Sequence, residues 1–522
     1  MGYETLAFPA GMSSNGTLYQ NRGLWYDGDR VRWHRGLIQP IGGWTPFPVA
    51  TGVLDSVILD PTVEVARTLK SWQLNSGSSI YAIGTNFGLK VFNASSATVF
   101  DVTPTSFVPV SLTPAIFNGY GTGAYGREAY GTERTAMPDT PLTFNWSFRN
   151  WGENLLAAPR GNPSTLYEWA PTFTSPAVPV ANAPVNFSCF HVTEQRIVMV
   201  GGDTTEPRKM VWSDSENNTV WAPAITNQAG SQILSGAGRV LDIVDFRDIM
   251  LIVTETDAHT CRYIGPPYIH GFDKIGDDCG AINGASIVST DSFVVWPGIG
   301  SFFLFDGTVK RLECAVADKV LNALSGVNGG KTIGFVNPEW SEIWWLYQSN
   351  VPPQFPDSDD YDDVDSYVVW DYQEDHWYTG TLERSVGGGL PVTGGPFMVG
   401  FDGVCYQHEI AGTIPSDVGS SEVTLTSGPI ELTKGDSTQY ISAIQPDFIK
   451  DGEVTLHIIG QDRPNGPETR FGPYVVSYPS NTNQPVPCRA RGHTVRLEVT
   501  GKSSTWSLGD LRLDFVPAGG KK

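Results

Sequence analysis

Short apolar strands recur along the chain, each followed by a turn of Gly, Asn or Asp and by a second strand that carries aromatic residues. They begin near these positions: Ile80, Leu155, Ile197, Ile249, Phe293, Ile343 and Phe397. The first interval is 75 residues and the others are 42 to 54 residues, whereas a four-stranded propeller blade takes about 40–50 residues. Small sheets packed radially bury their apolar faces and protect their edges. The pattern predicts an all-β fold with a β-propeller of six or seven blades over residues 49–420; an array of β-sandwiches is the alternative.

The two ends of the chain differ from this repeat. Residues 1–48 are predicted to form an N-terminal β-hairpin segment that joins or closes the propeller. From about Val423, strands alternate with Gly, Pro and Asn turns, which predicts a C-terminal β-sandwich over residues 421–522. Its expected strands lie at 423–425, 440–444, 454–459, 474–478, 494–499 and 511–515.

One helix and one unusual loop interrupt the strands. The helix is predicted over residues 314–324, where apolar residues share one face before a Ser-Gly stop. The loop at 119–134 places Tyr120, Tyr125 and Tyr130 five residues apart, a period that fits neither helix nor strand, with Gly beside each ring. These tyrosines are candidates for a contact between subunits; a solvent-exposed loop with self-packed rings is the other interpretation.

The charge balance changes the picture of possible partners. The chain has 34 basic and 55 acidic residues, a net charge of −21, so an ordinary binder of exposed nucleic acid is not expected. The excess lies between the two ends, where 19 basic residues face 41 acidic ones. Six aspartates cluster in one run: Asp357, Asp359, Asp360, Asp362, Asp363 and Asp365.

The cysteines and the first residues indicate the compartment. The six cysteines are at least 18 residues apart, so no Cys-x-x-Cys pair suggests a zinc or redox site, and buried free thiols are expected. The chain begins without the pattern of a signal peptide, and no apolar stretch approaches a membrane span. Folding in a reducing cytoplasm is therefore expected.

Motifs that would carry chemistry fail on their spacing. The Gly-rich segment 325–332 has three residues where a phosphate loop needs four, and it follows a helix instead of preceding one. His408-Glu409 lacks the second histidine of a zinc protease. An EF-hand loop starting at Asp357 would have Asp362 in place of the required Gly and Val368 in place of Glu. The expectation is a protein without catalytic residues, metal site or cofactor.

A resemblance begins in the N-terminal segment, which carries an Arg/Trp strand, a Gly turn and a Pro-x-Gly-Gly-Trp element. These residues carry the motif: Trp25, Arg30, Arg32, Trp33, Gly42, Gly43 and Trp44. The segment resembles the opening of tail proteins from short-tailed bacteriophages. The Tyr-Gly loop, the Trp-Ser-Asp at 212–214 and the terminal segment 506–515 also resemble that group.

The resemblance implies a structural virion protein, a tail hub or nozzle subunit similar to packaged-DNA-stabilisation and tubular-tail proteins. Such subunits form a hexameric ring below the portal and adaptor, contact tail fibres, spikes or needles, and close the DNA channel until ejection. An acidic lumen would repel passing DNA, since each Lys or Arg paired with phosphate adds an attraction that ejection must break. We therefore expect the aspartates of the 357–365 run to face the channel or its gate.

A propeller that binds or degrades glycans as a receptor-recognition module is the alternative. Trp340, Trp344 and Trp345 would suit sugar stacking, although they would equally suit the core of a blade.

Overall fold

The computed structural model describes most of the chain. It covers residues 2–47, 59–60, 64–93, 99–110, 145–160, 164–324, 326–349, 363–389, 395–410, 423–431, 437–450, 452–463, 466–478, 485–501 and 506–520. Almost all regular structure in these ranges is β-strand, in nine sheets. The predicted all-β class and the β-propeller are confirmed.

Seven four-stranded antiparallel sheets in the described residues form the blades. The first four blades consist of these strands: Ala66–Gln73, Ser79–Thr85, Leu89–Asn93 and Val99–Asp101 in blade 1; Asn145–Trp151, Asn154–Arg160, Tyr167–Trp169 and Val178–Pro179 in blade 2; Cys189–Val192, Val198–Gly201, Lys209–Trp212 and Gly230–Ile233 in blade 3; Val240–Phe246, Ile249–Thr254, Ala258–Gly265 and Ile269–Gly276 in blade 4.

The last three blades consist of these strands: Val288–Ser289, Val294–Gly298, Ser301–Phe305 and Val309–Leu312 in blade 5; Ile333–Asn337, Glu342–Tyr347, Ser366–Asp371 and His376–Thr381 in blade 6; Val386–Gly389, Pro396–Val399, Cys405–Ile410 and Gly43–Pro46 in blade 7. The first strand of each blade contacts the first strand of the next, and that of blade 7 contacts that of blade 1. These first strands are therefore the inner strands of a closed ring.

The ring is closed by a strand from the opposite end of the sequence. Gly43–Pro46 pairs antiparallel with Cys405–Ile410 and completes blade 7 as its fourth strand. The described residues of 386–389 and 395–410 supply three strands, so without this addition the outer edge of blade 7 would expose unpaired backbone groups. Closure thus joins residues more than 350 positions apart.

The remaining strands form a β-sandwich that uses both ends of the chain. One sheet has the order Val31–His34, Leu37–Pro40, Ser507–Gly520, Ser437–Lys450 and Val486–Gly492, with Gly2–Leu6 also paired to Ser507–Gly520. The other has the order Trp25–Asp29, Val423–Ser427, Thr494–Gly501, Gly452–Gln461 and Glu468–Tyr478. Leu425 and Leu456 of one sheet share a buried cluster with Ile444 and Leu513 of the other.

The N-terminal residues are thus divided between the two domains: Gly43–Pro46 closes the propeller, and the strands before it belong to the sandwich. The hairpin Val31–His34 with Leu37–Pro40 exists, but it lies at the edge of a sandwich sheet, and only Gly43–Pro46 enters the propeller. A two-stranded hairpin is marginal alone in water, so these strands gain stability by extending sheets that the C-terminal residues begin.

The predicted helix is present as Ala317–Leu324, between blades 5 and 6. Val320 and Leu324 are buried and belong to the cluster that contains the sandwich core and the second strand of blade 6. That strand, Glu342–Tyr347, is buried along its whole length. One continuous core therefore connects the sandwich with blade 6. Two short 3-10 helices, Gly284–Ser286 and Gly326–Lys331, complete the elements.

Candidate functional site

Arg32 lies at the centre of a buried contact between the sandwich and two blades. Its Nε and Nη2 atoms donate to the Glu342 carboxylate at 2.8 and 2.9 Å. Its Nη1 and Nη2 atoms donate to the Glu409 carboxylate at 2.7 and 2.6 Å. The planar guanidinium suits two bidentate partners, which an ammonium group could not hold in the same way. We call these three residues the Arg32 clamp; it joins a sandwich strand to blades 6 and 7.

Further donors stabilise the two carboxylates. Glu342 accepts hydrogen bonds from Trp344 Nε1 at 2.8 Å, Asn337 Nδ2 at 3.2 Å and the Tyr378 hydroxyl. Glu409 accepts one from the backbone N–H of Gly42 at 3.1 Å. One positive charge faces two carboxylates, so these neutral donors supply the remaining stabilisation that buried charges require.

Burial and neighbouring charge act in opposite directions on the clamp. Burial disfavours the charged form of Arg32, but Glu342 and Glu409 outweigh it and raise the pKa of Arg32 well above its ordinary value. Burial raises the pKa of Glu342, although Arg32 opposes this shift. Arg32 thus remains charged, and loss of its charge would leave two carboxylates without a cation in a dry environment.

The other residues of the N-terminal motif surround the clamp or the sandwich next to it. Trp33 packs against the rings of His376 and Tyr378, with centroids 6.1 and 6.2 Å away. Trp44 stacks on His408 at 5.0 Å. The motif therefore contributes to the packing that fixes the sandwich on the propeller.

The remaining motif residues have equally local roles. The guanidinium of Arg30 lies over the ring of Trp44, and Trp25 is buried in the sandwich against Phe8. Gly42 passes so close to blade 7 that a Cβ atom would lie 2.5 Å from the Cα of Glu409, and Gly43 begins the closing strand.

The propeller axis is a second concentration of charge. The inner strands of blades 1 to 4 contribute these side chains: Lys70, Arg149, His191, Asp242 and Asp245. Arg149 Nε donates to His191 Nδ1 at 3.2 Å, and His191 Nε2 lies 2.8 Å from Asp245 Oδ1. Because an arginine donates only, Nδ1 of His191 carries the lone pair and Nε2 donates to Asp245. Arg149 also lies 3.7 Å from Asp242.

The electrostatics of the axis follow from this arrangement. Burial and the nearby charge of Arg149 lower the pKa of Lys70 to about 8. Burial opposes ionisation of Asp245, yet the hydrogen bond from His191 and the charge of Arg149 hold its pKa below the ordinary value. A lysine with such a pKa can exchange a proton near neutral pH.

Two arginines of blade 2 also contact the inner strand of blade 4. Arg149 Nη2 donates to the carbonyl of Ile243 at 3.2 Å. Arg160 donates to Asp242 Oδ2 at 2.7 Å and to the carbonyl of Leu241 at 3.0 Å. Both arginines belong to blade 2 and reach blade 4, past blade 3.

At the amino-terminal ends of the inner strands, two segments reach across blades. Arg67 of blade 1 forms a bidentate, buried ion pair with Asp363, which precedes the third strand of blade 6; Nη1 lies 2.9 Å from Oδ1. The carbonyl of Gly330 accepts a hydrogen bond from Asn145 of blade 2 at 3.3 Å, and that of Gly329 accepts one from Asn283 of blade 5 at 2.5 Å. These contacts link blades 1, 2 and 6 and the segment before blade 5 at this end of the propeller.

The opposite end carries two shallow depressions that share Asp245. The larger, about 450 Å³, is lined by Trp151, Thr193, Glu194, Arg196 and Asp245, among others. The smaller, about 360 Å³, is lined by Asp245, Arg247, Ser289, Thr290 and Asp291. The Arg196 guanidinium lies 5.0 Å from the Trp151 ring centre, so one aromatic face of the larger depression is already covered.

The structure describes two aspartates of the predicted channel run. Asp363 is paired with Arg67, which lowers its pKa although burial opposes ionisation. Asp365 accepts hydrogen bonds from Ser349 N at 2.7 Å and Ser349 Oγ at 2.6 Å. These two carboxylates hold neighbouring segments together, and the charge of Asp363 is balanced. Their place at the channel or its gate stays a prediction. Other predicted residues lie outside the described ranges: Asp357, Asp359, Asp360, Asp362, Tyr120, Tyr125 and Tyr130.

Two of the three tryptophans considered for sugar stacking belong to the core, and the third is half-buried. Trp344 and Trp345 are buried between blades. Trp340 is covered by the guanidinium of Arg32, whose carbon lies 4.3 Å from the ring centre, and by the ring of His34. These residues therefore lack the free aromatic face that sugar stacking needs.

Sequence reasoning missed the partners of both charge networks. Glu342 and Glu409 are acids within otherwise apolar or aromatic strands, and Arg149 and Asp242 are charges within inner strands. A single charged residue within a strand predicted to be buried could have indicated these networks, because buried charges need partners. The sequence could not say which charges pair.

The prediction for the cysteines is confirmed: all six are free and buried. No helix in the described residues combines the length and the apolar character needed to cross a bilayer.

No protein-family model and no curated protein matches the chain. Similar solved structures include a fungal AA5-family alcohol oxidase in complex with copper, with a TM-score of 0.40, 10% identity and coverage of 90% of this chain and 93% of that one. The Pan2 WD40 domain of Neurospora crassa has a TM-score of 0.38, 10% identity and coverage of 72% and 95%. A chain of a mitotic checkpoint complex has a TM-score of 0.37, 10% identity and coverage of 72% and 93%. The architecture rests on the strand pairing described above.

Proposed function

We propose that this protein is a structural subunit of the tail of a short-tailed bacteriophage, a hub or nozzle protein that assembles as a hexameric ring on the tail axis. The observation that supports it is the role of the N-terminal motif on which the resemblance rests. Arg32, Trp33 and Trp44 form one buried unit that fixes the sandwich on blades 6 and 7. A motif with this structural role suits a protein that acts as a structural component of an assembly.

In the proposed ring, the channel for DNA lies between subunits. The subunit has a net charge of −21, and acids on the faces that line this lumen would repel the DNA backbone. Asp357, Asp359, Asp360 and Asp362 are the candidates for these faces. Asp363 is not, because Arg67 neutralises it.

Exposed apolar side chains on blades 3 and 4 offer a contact surface for such an assembly. Ile225 precedes the fourth strand of blade 3, and Ile264 and Tyr268 lie at the corresponding turn of blade 4. Ile225 is fully exposed, and Tyr268 is 75% exposed. Exposed apolar patches commonly mark interfaces, and in the proposed ring this surface contacts another copy. The adaptor above and fibres, spikes or needles below are the further partners.

Electron microscopy of tails that contain this protein tests the proposal. Antibody fragments against the sandwich should label six positions around the tail axis, on a ring below the adaptor. Labels on peripheral trimers would contradict the proposal and indicate a spike. A monomer of the isolated chain does not decide the question, because tail subunits can stay apart until they assemble.

The glycan-binding alternative has less support, because Trp344 and Trp345 are buried. It is tested independently by incubating the purified protein with surface polysaccharide of the host. The tail proposal includes no catalytic step, so it predicts no shortening of the polymer. Turnover that is lost in an Asp245→Asn variant would contradict a purely structural role.

A further inference from the structure

Three potential metal ligands meet at the turn between the last two strands of blade 6. Asp371 ends the strand Ser366–Asp371, Glu374 lies in the turn, and His376 begins the strand His376–Thr381. One ligand atom from each residue lies within 4.8 Å of the others.

Each carboxylate uses one oxygen to hold the backbone. Asp371 Oδ1 accepts the N–H groups of Gln373 and Glu374 at 2.8 and 2.9 Å, which shapes the turn. Glu374 Oε1 accepts the N–H of Arg35, in the turn of the N-terminal hairpin, at 2.7 Å. Within the described part of the chain, the second oxygen of each carboxylate has no hydrogen-bond donor, so it is available to a ligand.

His376 is the second, independent observation. The residue is only 6% exposed, and neither ring nitrogen has a hydrogen-bond partner among the described residues. Its Nε2 lies 3.9 Å from Asp371 Oδ2, and Trp33 packs against the ring and fixes its position. Leaving buried polar groups unpaired is costly, and a metal ion bound at Nε2 would remove part of that cost.

We propose that Asp371, Glu374 and His376 bind a divalent transition-metal ion of the zinc type. One imidazole nitrogen and two carboxylate oxygens suit Zn²⁺ better than Ca²⁺ or Mg²⁺, which prefer oxygen ligands alone. In a tetrahedral site, ligand atoms that are about 2.1 Å from the zinc ion lie about 3.4 Å from each other. The 3.9 Å between His376 Nε2 and Asp371 Oδ2 therefore needs only a small adjustment. Glu374 is exposed and can move the remaining distance.

The position of the site indicates what the ion would do. Glu374 already contacts the N-terminal hairpin through Arg35, and His376 contacts it through Trp33. A bound ion would therefore cross-link the blade 6 turn and hold the face on which the hairpin rests. This role is independent of the proposed tail function, since it concerns how the sandwich is fixed to the propeller.

Zinc binding to the full-length protein tests the site after the protein has been treated with chelator and dialysed. Calorimetry should show one tight zinc site per chain, and Mg²⁺ or Ca²⁺ at the same concentration should not compete. Glu374→Gln changes an exposed residue and keeps an acceptor for Arg35, and His376→Gln removes the nitrogen ligand. Each should weaken zinc binding at least tenfold.

His270→Gln is the matched control. His270 is also buried, and both of its ring nitrogens lack partners among the described residues, but it lies in blade 4, away from this turn. This variant should bind zinc as the wild type does. X-ray absorption of the zinc-loaded protein should show nitrogen and oxygen ligands without sulfur, which separates the site from the six cysteines. Absence of zinc binding, sulfur ligation, or equal affinity in all four proteins would overturn the proposal.

Discussion

Replacing Arg32 by methionine tests whether the Arg32 clamp holds the sandwich on the propeller. The change keeps a long apolar side chain but removes four charge-assisted hydrogen bonds of 2.6 to 2.9 Å. Glu342 and Glu409 then face each other without a cation, and their side chains are 1% and 6% exposed. Breaking a buried ion pair by removing one partner costs about 3–5 kcal/mol.

Proton uptake sets a limit to this cost. One of two adjacent carboxyls can take a proton and donate it to the other. At pH 7, protonating a glutamate with an ordinary pKa costs about 4 kcal/mol, and at pH 5 it costs about 1 kcal/mol. The folded variant has a carboxyl with a raised pKa, so it binds more protons than the unfolded chain as the pH falls. We therefore expect Arg32→Met to lower the free energy of unfolding by about 4 kcal/mol at pH 7, and we expect this loss to be smaller by about 2 kcal/mol or more at pH 5.

The assay is urea unfolding followed by tryptophan fluorescence at both pH values, with hydrogen exchange of Val31–His34 to locate the loss. Arg262→Met is the control, because Arg262 is exposed on blade 4 and such changes usually stay within about 0.5 kcal/mol. Adding Glu342→Gln to Arg32→Met should recover part of the stability, since it removes one of the two charges. A variant as stable as the wild type at pH 7, or a loss that does not depend on pH, would refute the reasoning.

Three further predictions concern single contacts. Gly42→Ala should lower the free energy of unfolding in urea by about 1–3 kcal/mol, because the added Cβ atom would lie 2.5 Å from the backbone of blade 7. Gly271→Ala is the control and should lower it by less, because no atom lies closer than 3.6 Å to the added Cβ. Lys70 has a folded pKa of about 8, below its ordinary value, so the unfolded chain binds more protons above pH 8. The melting temperature of the wild-type protein should therefore rise relative to that of Lys70→Met between pH 8 and 10. Melting temperatures of the two proteins that change in parallel with pH would contradict this. Asp363→Asn should destabilise by about 2–4 kcal/mol at pH 7. Because the pKa of Asp363 is lowered, this deficit should begin to shrink as the pH falls below about 4 and should vanish only below the folded pKa. A deficit that does not shrink below pH ~4 would exclude the ion pair as its cause.

The repeat in the sequence located one strand of every blade. All seven predicted starts lie in or next to the second strand of a blade. These strands are buried between neighbouring blades, so they read as continuous apolar runs. Inner strands such as Asn145–Trp151 and Val240–Phe246 carry charges toward the axis. Because these inner strands mix polar and apolar residues, their sequence pattern resembles that of loops, and they were not predicted as strands.

The non-local parts of the fold could not be predicted from local pattern. Gly43–Pro46 reads as a short turn-rich segment, and only its partner Cys405–Ile410 makes it a blade strand. Arg32 is 310 and 377 residues from its two partners. The motif residues were identified as a group because they are close in sequence, whereas Glu342 and Glu409 were not identified, because each is an isolated acid until the chain folds.

A cryo-electron microscopy map of a DNA-filled tail tests the central claim most directly. The account predicts six copies of this propeller around one duplex, with the duplex in the space between subunits. Inside each propeller, the map should show Arg149 and Arg160 of blade 2 in contact with blade 4. Copies arranged as peripheral trimers, or DNA density running along the axis of a single propeller, would contradict the account.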